Sequence, residues 1–149
     1  VEKDIALDDW SNMAMLHSGL LFAGANKTWR GESIPQGVED GILTAFEMSQ
    51  LDLKKCKLVV LSACESGLGF MSQFGAEVGQ KQALKQAGVG CIVFTLWQVP
   101  DESTAMLMKE FYHNIVKGDS ARIALKKAQD IVAKTYKSPY FWAGFSIID

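Results

Sequence analysis

The run Leu58-Val-Val-Leu61, entered through Lys57 and left through Ser62, constrains this chain more than any other stretch. A strand with one wet face alternates apolar and polar residues, so an unbroken run of leucine and valine predicts a strand buried on both faces of a parallel sheet. A second run, Cys91-Ile-Val-Phe-Thr-Leu96, follows after a segment long enough for a crossover helix. Strand and helix alternate in this way from about residue 42 onward, and the expected class is α/β with a mostly parallel sheet. With 149 residues, 48% hydrophobic and 21% charged, the chain has the composition of one compact domain.

The helices announce their own ends. Thr44-Ala-Phe-Glu47 has capping-box spacing and predicts a short helix through Leu51. Gly75 to Ala87 predicts a helix with Ala76, Gly79 and Ala83 on one close-packing stripe and Gly88 as its terminator. Beyond Trp97, the segment Gln98-Val-Pro-Asp101 turns the chain, and Asp101 or Ser103 is the expected cap of a helix that ends at Gly118. Met108, Phe111, Tyr112 and Ile115 form its predicted inward stripe, with His113 solvated on the far side. A further helix from Ala121 to about Thr135 turns Ala121, Leu125, Ala128 and Val132 inward, and Pro139 separates it from a last apolar strand near Trp142 to Ile148. Upstream, Gly19-Leu-Leu-Phe-Ala23 and Gly41-Ile-Leu43 are expected to pair as short strands. They enclose Gly24 to Asp40, a long polar loop of the kind that either flanks a substrate cleft or simply wanders.

Composition excludes several functions. Fifteen basic against 17 acidic side chains, with no block of Lys or Arg, argue against direct nucleic-acid binding. No apolar stretch approaches the ~20 residues that span a bilayer, and Val1-Glu-Lys-Asp4 is unlike a signal peptide. Cys56, Cys64 and Cys91 are odd in number and form no CxxC pair, which fits a reducing, cytoplasmic setting. With His17 and His113 they match no common zinc spacing, so neither metal nor cofactor is expected.

Ligands and catalysts in open α/β sheets gather beyond the carboxyl ends of the strands. Cys64 follows the Leu58 strand in the small-residue loop Ala63-Cys-Glu-Ser-Gly-Leu-Gly69, and Trp97 follows the Cys91 strand, so the two loops are expected at one sheet edge as nucleophile and pocket wall. Trp97, Gln98 and Asp101 are the candidate substrate-binding residues, although Asp101 also suits the role of helix cap; Asp9, Trp10 and Glu65 are near enough to consider but receive no role. An ordinary thiol is only about 3% ionised at neutral pH and needs a histidine or a helix N-terminus beside it. The following helix begins some ten residues on, too far for its dipole. His17, before the first upstream strand, is the remaining candidate base; on a strand parallel to Leu58–Leu61 it falls at the opposite end of the sheet from Cys64, whereas in a side hairpin its position is open.

The motif Leu61-Ser-Ala-Cys-Glu-Ser-Gly-Leu-Gly69 resembles the nucleophile motif of CHAT domains, the caspase-like peptidases associated with TPR repeats. The resemblance continues through Ser18-Gly-Leu-Leu-Phe-Ala-Gly-Ala-Asn26, Gly41-Ile-Leu-Thr-Ala45, Ala83-Leu84 with Ala87-Gly88, Leu96-Trp-Gln-Val-Pro-Asp101, Ala124-Leu125 with Ala128-Gln129, and Pro139-Tyr-Phe-Trp-Ala-Gly-Phe145. It implies a caspase-like sheet flanked by helices on both faces, with Cys64 as nucleophile. It also implies a catalytic histidine from an earlier strand ending in a His-Gly pair, whose glycine supplies half of the oxyanion site. Here the histidines read His17-Ser18 and His113-Asn114, so residues 1–149 are expected to be the C-terminal portion of such a domain, incomplete at its N-terminal side. The implied partners are a histidine-bearing N-terminal half, a TPR or other regulatory region and a protein substrate, and the chain alone is expected to be inactive.

Two other readings compete with the cysteine endopeptidase. One is a non-catalytic scaffold that binds TPR or other protein partners. The other is a nucleotide-binding domain using Gly67-Leu-Gly69, which Ser72 in place of a third glycine and the lack of an acidic partner both disfavour.

Overall fold

A computed structural model of the chain describes residues 15–62 and 76–149. These fall into two compact units, one built from the residues up to Lys55 with those ending at Val89, the other from Cys56 onward with Gly90–Asp149.

In the first unit β1 (Gly19–Leu21) pairs antiparallel with β2 (Ile42–Thr44), with Leu20 opposite Leu43, as the two glycine-led runs predict. The intervening stretch is not all loop, since Ala25–Trp29 forms the short helix α1. Helix α2 (Ala45–Ser49) starts in the predicted capping box. The Glu47 N–H donates to Thr44 Oγ1 at 3.1 Å, while the Thr44 N–H donates to the Glu47 carboxylate at 2.8 Å. The Thr44 N–H foremost, and then the Thr44 hydroxyl, which also donates to the carboxylate at 2.8 Å, hold the Glu47 carboxyl below its ordinary range. Helix α3 (Ala76–Gln86) packs against α2 around Ala45, Met48, Ala83 and Leu84, all buried. It stops at Gly88, whose φ of 96° lets its N–H reach Lys85 O at 3.1 Å and the Val89 N–H reach Leu84 O at 3.0 Å, the paired bonds of a Schellman cap.

The second unit holds a three-stranded sheet, β3 (Leu58–Leu61), β4 (Cys91–Thr95) and β5 (Phe145–Ile148), with β4 central. β3 and β4 are parallel, Leu58 opposite Cys91; β5 runs antiparallel to β4, Ile92 opposite Ile148. The sheet is therefore small and mixed. The strand buried on both sides is β4, where Ile92, Val93, Phe94 and Thr95 are all enclosed. β3, the run expected to be buried on both faces, is half-buried and borders the sheet among the described strands.

Helices α4 (Asp101–Val116) and α5 (Ala121–Thr135) cover one face, where Leu107, Phe111, Ala124, Leu125, Ala128 and Val132 close over Val93 and Phe145. On α5, Leu125, Ala128 and Val132 are buried as predicted, with Ala124 in place of the half-buried Ala121. On α4 the stripe is rotated: Ser103, Leu107, Phe111 and Asn114 are buried and Tyr112 is exposed. Consecutive Met106, Leu107 and Met108 give this helix apolar residues on several sides, so position in the sheet layer, not periodicity, selects which turn inward. The expected cap at Asp101 or Ser103 is replaced by Pro100, with Asp101 as the first helical residue and the Ser103 hydroxyl donating to Pro100 O at 2.9 Å. Gly118, at φ 97°, closes α4 with the same Schellman pair seen after α3, Gly118 N to Ile115 O and Asp119 N to Asn114 O.

Candidate active site

The parallel register sets Leu61 beside Phe94, so β3 and β4 finish at the same sheet edge. β3 leads through Ser62 towards Cys64, which with Glu65 and the glycines of its loop lies outside the described residues, as do Asp9 and Trp10. β4 leads into Leu96, Trp97 and Gln98.

Trp97 is half-buried against the helix–sheet core, and its Nε1–H donates to the Tyr140 carbonyl at 2.9 Å. That bond ties the β4 exit to the short 3-10 turn Pro139–Phe141. The Leu96 N–H adds a bond to Gly144 O at 2.7 Å. Gly144 fits because a Cβ there would stand 2.9 Å from Trp97 Cε2 and 2.8 Å from Val99 Cγ2. Gln98 is exposed and has its amide available at the same turn. Asp101 is exposed in the first turn of α4, where with Glu102 its charge complements the positive helix end.

Of the two histidines, one belongs to the other unit and one to the far end of α4. His17 is exposed just ahead of β1, in the unit that does not contain β3. His113 is exposed in the last turn of α4, about 18 Å along the axis from Asp101 at ~1.5 Å per residue, and so at the far end of that helix from the Trp97 turn. The other thiols also lie at the far end. Cys91 opens β4, and Cys56 precedes β3 with its Sγ–H directed at Leu58 O, 3.4 Å away. Among the described residues no three side chains of His, Cys, Asp or Glu are grouped to hold a metal ion.

Residues that the CHAT resemblance includes but to which it gave no role keep this edge in shape. The Gln129 amide, from α5, donates to both Trp142 O (3.2 Å) and Phe145 O (3.0 Å), fixing the chain on either side of Gly144. The signals were the Ala128-Gln129 pair and the dense run Pro139–Phe145, whose aromatic and small residues now read as the seat of the Trp97 indole.

Residues 9–149 match the family model of the CHAT domain. The chain belongs to the CHAT domain family. Human tetratricopeptide repeat protein 28 is 32% identical over 122 residues, 79% of this chain, and the chain spans about 5% of that protein's length. In this CHAT domain, the Ser18–Asn26 and Gly41–Ala45 motifs build the β1–β2 hairpin and its α1 and α2 flanks. The Gln80 amide from α3 donates to Gly19 O at 2.8 Å and holds that hairpin to the following helix. No helix among the described residues is long and apolar enough to cross a membrane.

Proposed function

We propose that this CHAT domain is the nucleophile-bearing portion of a cysteine endopeptidase that acts on a protein substrate in the cytoplasm under the control of a TPR region. The Cys64 thiolate adds to the scissile carbonyl carbon, with the oxyanion received by backbone N–H groups. A histidine from an N-terminal CHAT segment gives its proton to the departing amine as the C–N bond breaks. Water, deprotonated by the same histidine, then hydrolyses the thioester. The observation that carries this reading is the shared finish of β3, the strand leading to Cys64, and β4, the strand leading to Trp97, in a chain of CHAT membership.

Trp97, Gln98 and Asp101 are the substrate contacts in this proposal, the indole as apolar wall and the two polar side chains at its rim. A place for a histidine-bearing segment is supported by β3 itself. Its second edge pairs with no described strand, and Leu58-Val-Val-Leu61 carries neither the proline nor the charges that normally guard an exposed border.

The test is active-site labelling by a peptidyl acyloxymethyl ketone, with and without a histidine-bearing N-terminal CHAT segment, mapped to individual cysteines by mass spectrometry. Rapid labelling of Cys64 only when the segment is present, with Cys56 and Cys91 unmodified and labelling lost in Cys64→Ala, is the expected result. Labelling of Cys64 that ignores the segment, or none at all, would refute the dyad. The absence of a His-Gly pair and the exposure of both histidines favour the scaffold as the second reading, and that outcome would select it.

A further inference from the structure

The amino ends of β3 and β4 and the carboxyl end of β5 meet at the sheet edge opposite the Trp97 turn, and a cavity of about 470 Å³ opens there. Its volume lies within the range of small-molecule sites. Leu58, Cys91, Ile115 and Ala121 give it an apolar lining. Its charged groups are Lys57, Arg122, Asp119 and Asp149.

Those charges are not equally committed. Asp119 accepts from Lys127 at 2.7 Å, and Asp149 is paired with Arg122. Lys57 is exposed and forms no ion pair among the described residues. The uncompensated charge at the rim is therefore positive. The Arg122–Asp149 pair is itself exposed, 63% and 52%, which makes it a weak contact that another carboxylate or sulfonate can replace on the guanidinium.

We propose that this cavity binds a small organic anion with an apolar body, its charged head between Lys57 and Arg122 and its body over Leu58, Cys91 and Ile115. The site lies at the opposite sheet edge from the Trp97 turn and does not depend on peptidase activity. Cys91 gives it a built-in reporter, because an occupant covers that thiol while leaving Cys56 as it was.

The probe is 8-anilinonaphthalene-1-sulfonate, an aromatic sulfonate, titrated by fluorescence into the whole chain and followed in parallel by N-ethylmaleimide alkylation of each cysteine. Saturable binding should slow Cys91 alkylation severalfold and leave the Cys56 rate unchanged. Lys57→Glu, a surface change, should weaken binding about tenfold through lost attraction and new repulsion, and Ala121→Leu should obstruct the cavity and abolish protection. Dye affinity indifferent to Lys57→Glu, or Cys91 alkylated equally fast at saturation, would overturn the proposal and assign the fluorescence to exposed apolar surface elsewhere.

Discussion

Gly144→Ala puts the architecture of the β4 exit to a direct test. A methyl at that position meets Val99 Cγ2 at 2.8 Å, Trp97 Cε2 at 2.9 Å and Trp97 Nε1 at 3.1 Å, so the indole has to move. Overpacking of this kind costs about 1–3 kcal/mol. Moving the indole also breaks its hydrogen bond to Tyr140 O, worth about 0.5–1.5 kcal/mol; Tyr140 is half exposed, water can replace the donor, and the lower end applies. The expected loss is about 1.5–3.5 kcal/mol, which for a chain of this size lowers Tm by roughly 3–14 °C. Calorimetry on the wild type, Gly144→Ala, Trp97→Leu and the double variant separates the causes. Leucine removes the indole atoms that the methyl strikes, so Gly144→Ala should cost at least ~1 kcal/mol less in that background. A Tm within about 1 °C of wild type, or costs that simply add, would refute the account of how Gly144 seats Trp97.

Two further predictions concern helix ends. Gly88 and Gly118 share a left-handed φ near 97°, but a Cβ at Gly118 meets nothing, whereas at Gly88 it strikes Lys54 Cγ at 2.7 Å and Lys54 Cα at 3.2 Å. Urea denaturation should therefore show Gly118→Ala losing only the backbone cost of about 1–2 kcal/mol, with Gly88→Ala losing more; equal losses would count against the Lys54 contact. At the α2 start, Thr44→Ala should cost about 1 kcal/mol at neutral pH. Because the folded-state pKa of Glu47 is lowered, its contribution is present above the unfolded glutamate range and fades as pH falls through the folded value. Glu47→Gln should accordingly flatten the acid limb of the stability–pH curve, and an unchanged limb would remove Glu47 from that role.

What the sequence disclosed was whatever local chemistry specifies alone. Thr44 with Glu47, Gly88 and Gly118 marked helix ends correctly because a cap is settled by a few adjacent atoms. The α5 stripe was legible because lysines and an aspartate flank its small apolar residues. The direction of β5 was not: Phe145-Ser-Ile-Ile148 reads the same beside a parallel or an antiparallel neighbour, and only the chain's path after α5 decides. The five-residue α1 is shorter than the window any periodicity needs. At the candidate site, Cys64, Trp97, Gln98 and Asp101 stood out by position after apolar runs. The supports of Trp97, namely Tyr140, Gly144 and Gln129, lie within motifs of the resemblance, but they come from far along the chain and nothing local in them reveals that they meet the indole.

The central place of β4 also dictates an order of events as the protein forms. Its partners lie far off in both directions, Leu58 for Cys91 and Ile148 for Ile92, whereas α4 and α5 are joined by a turn at Gly118 and find each other locally. Distant pairings carry the larger loop-closure penalty and form late. The helical hairpin is thus the early platform, and Phe145, buried in the core yet borne by the final strand, is its late keystone. During ribosomal synthesis the enclosed β4 must wait, its apolar residues bare, until that strand emerges, which makes this interval the one in which a chaperone would matter.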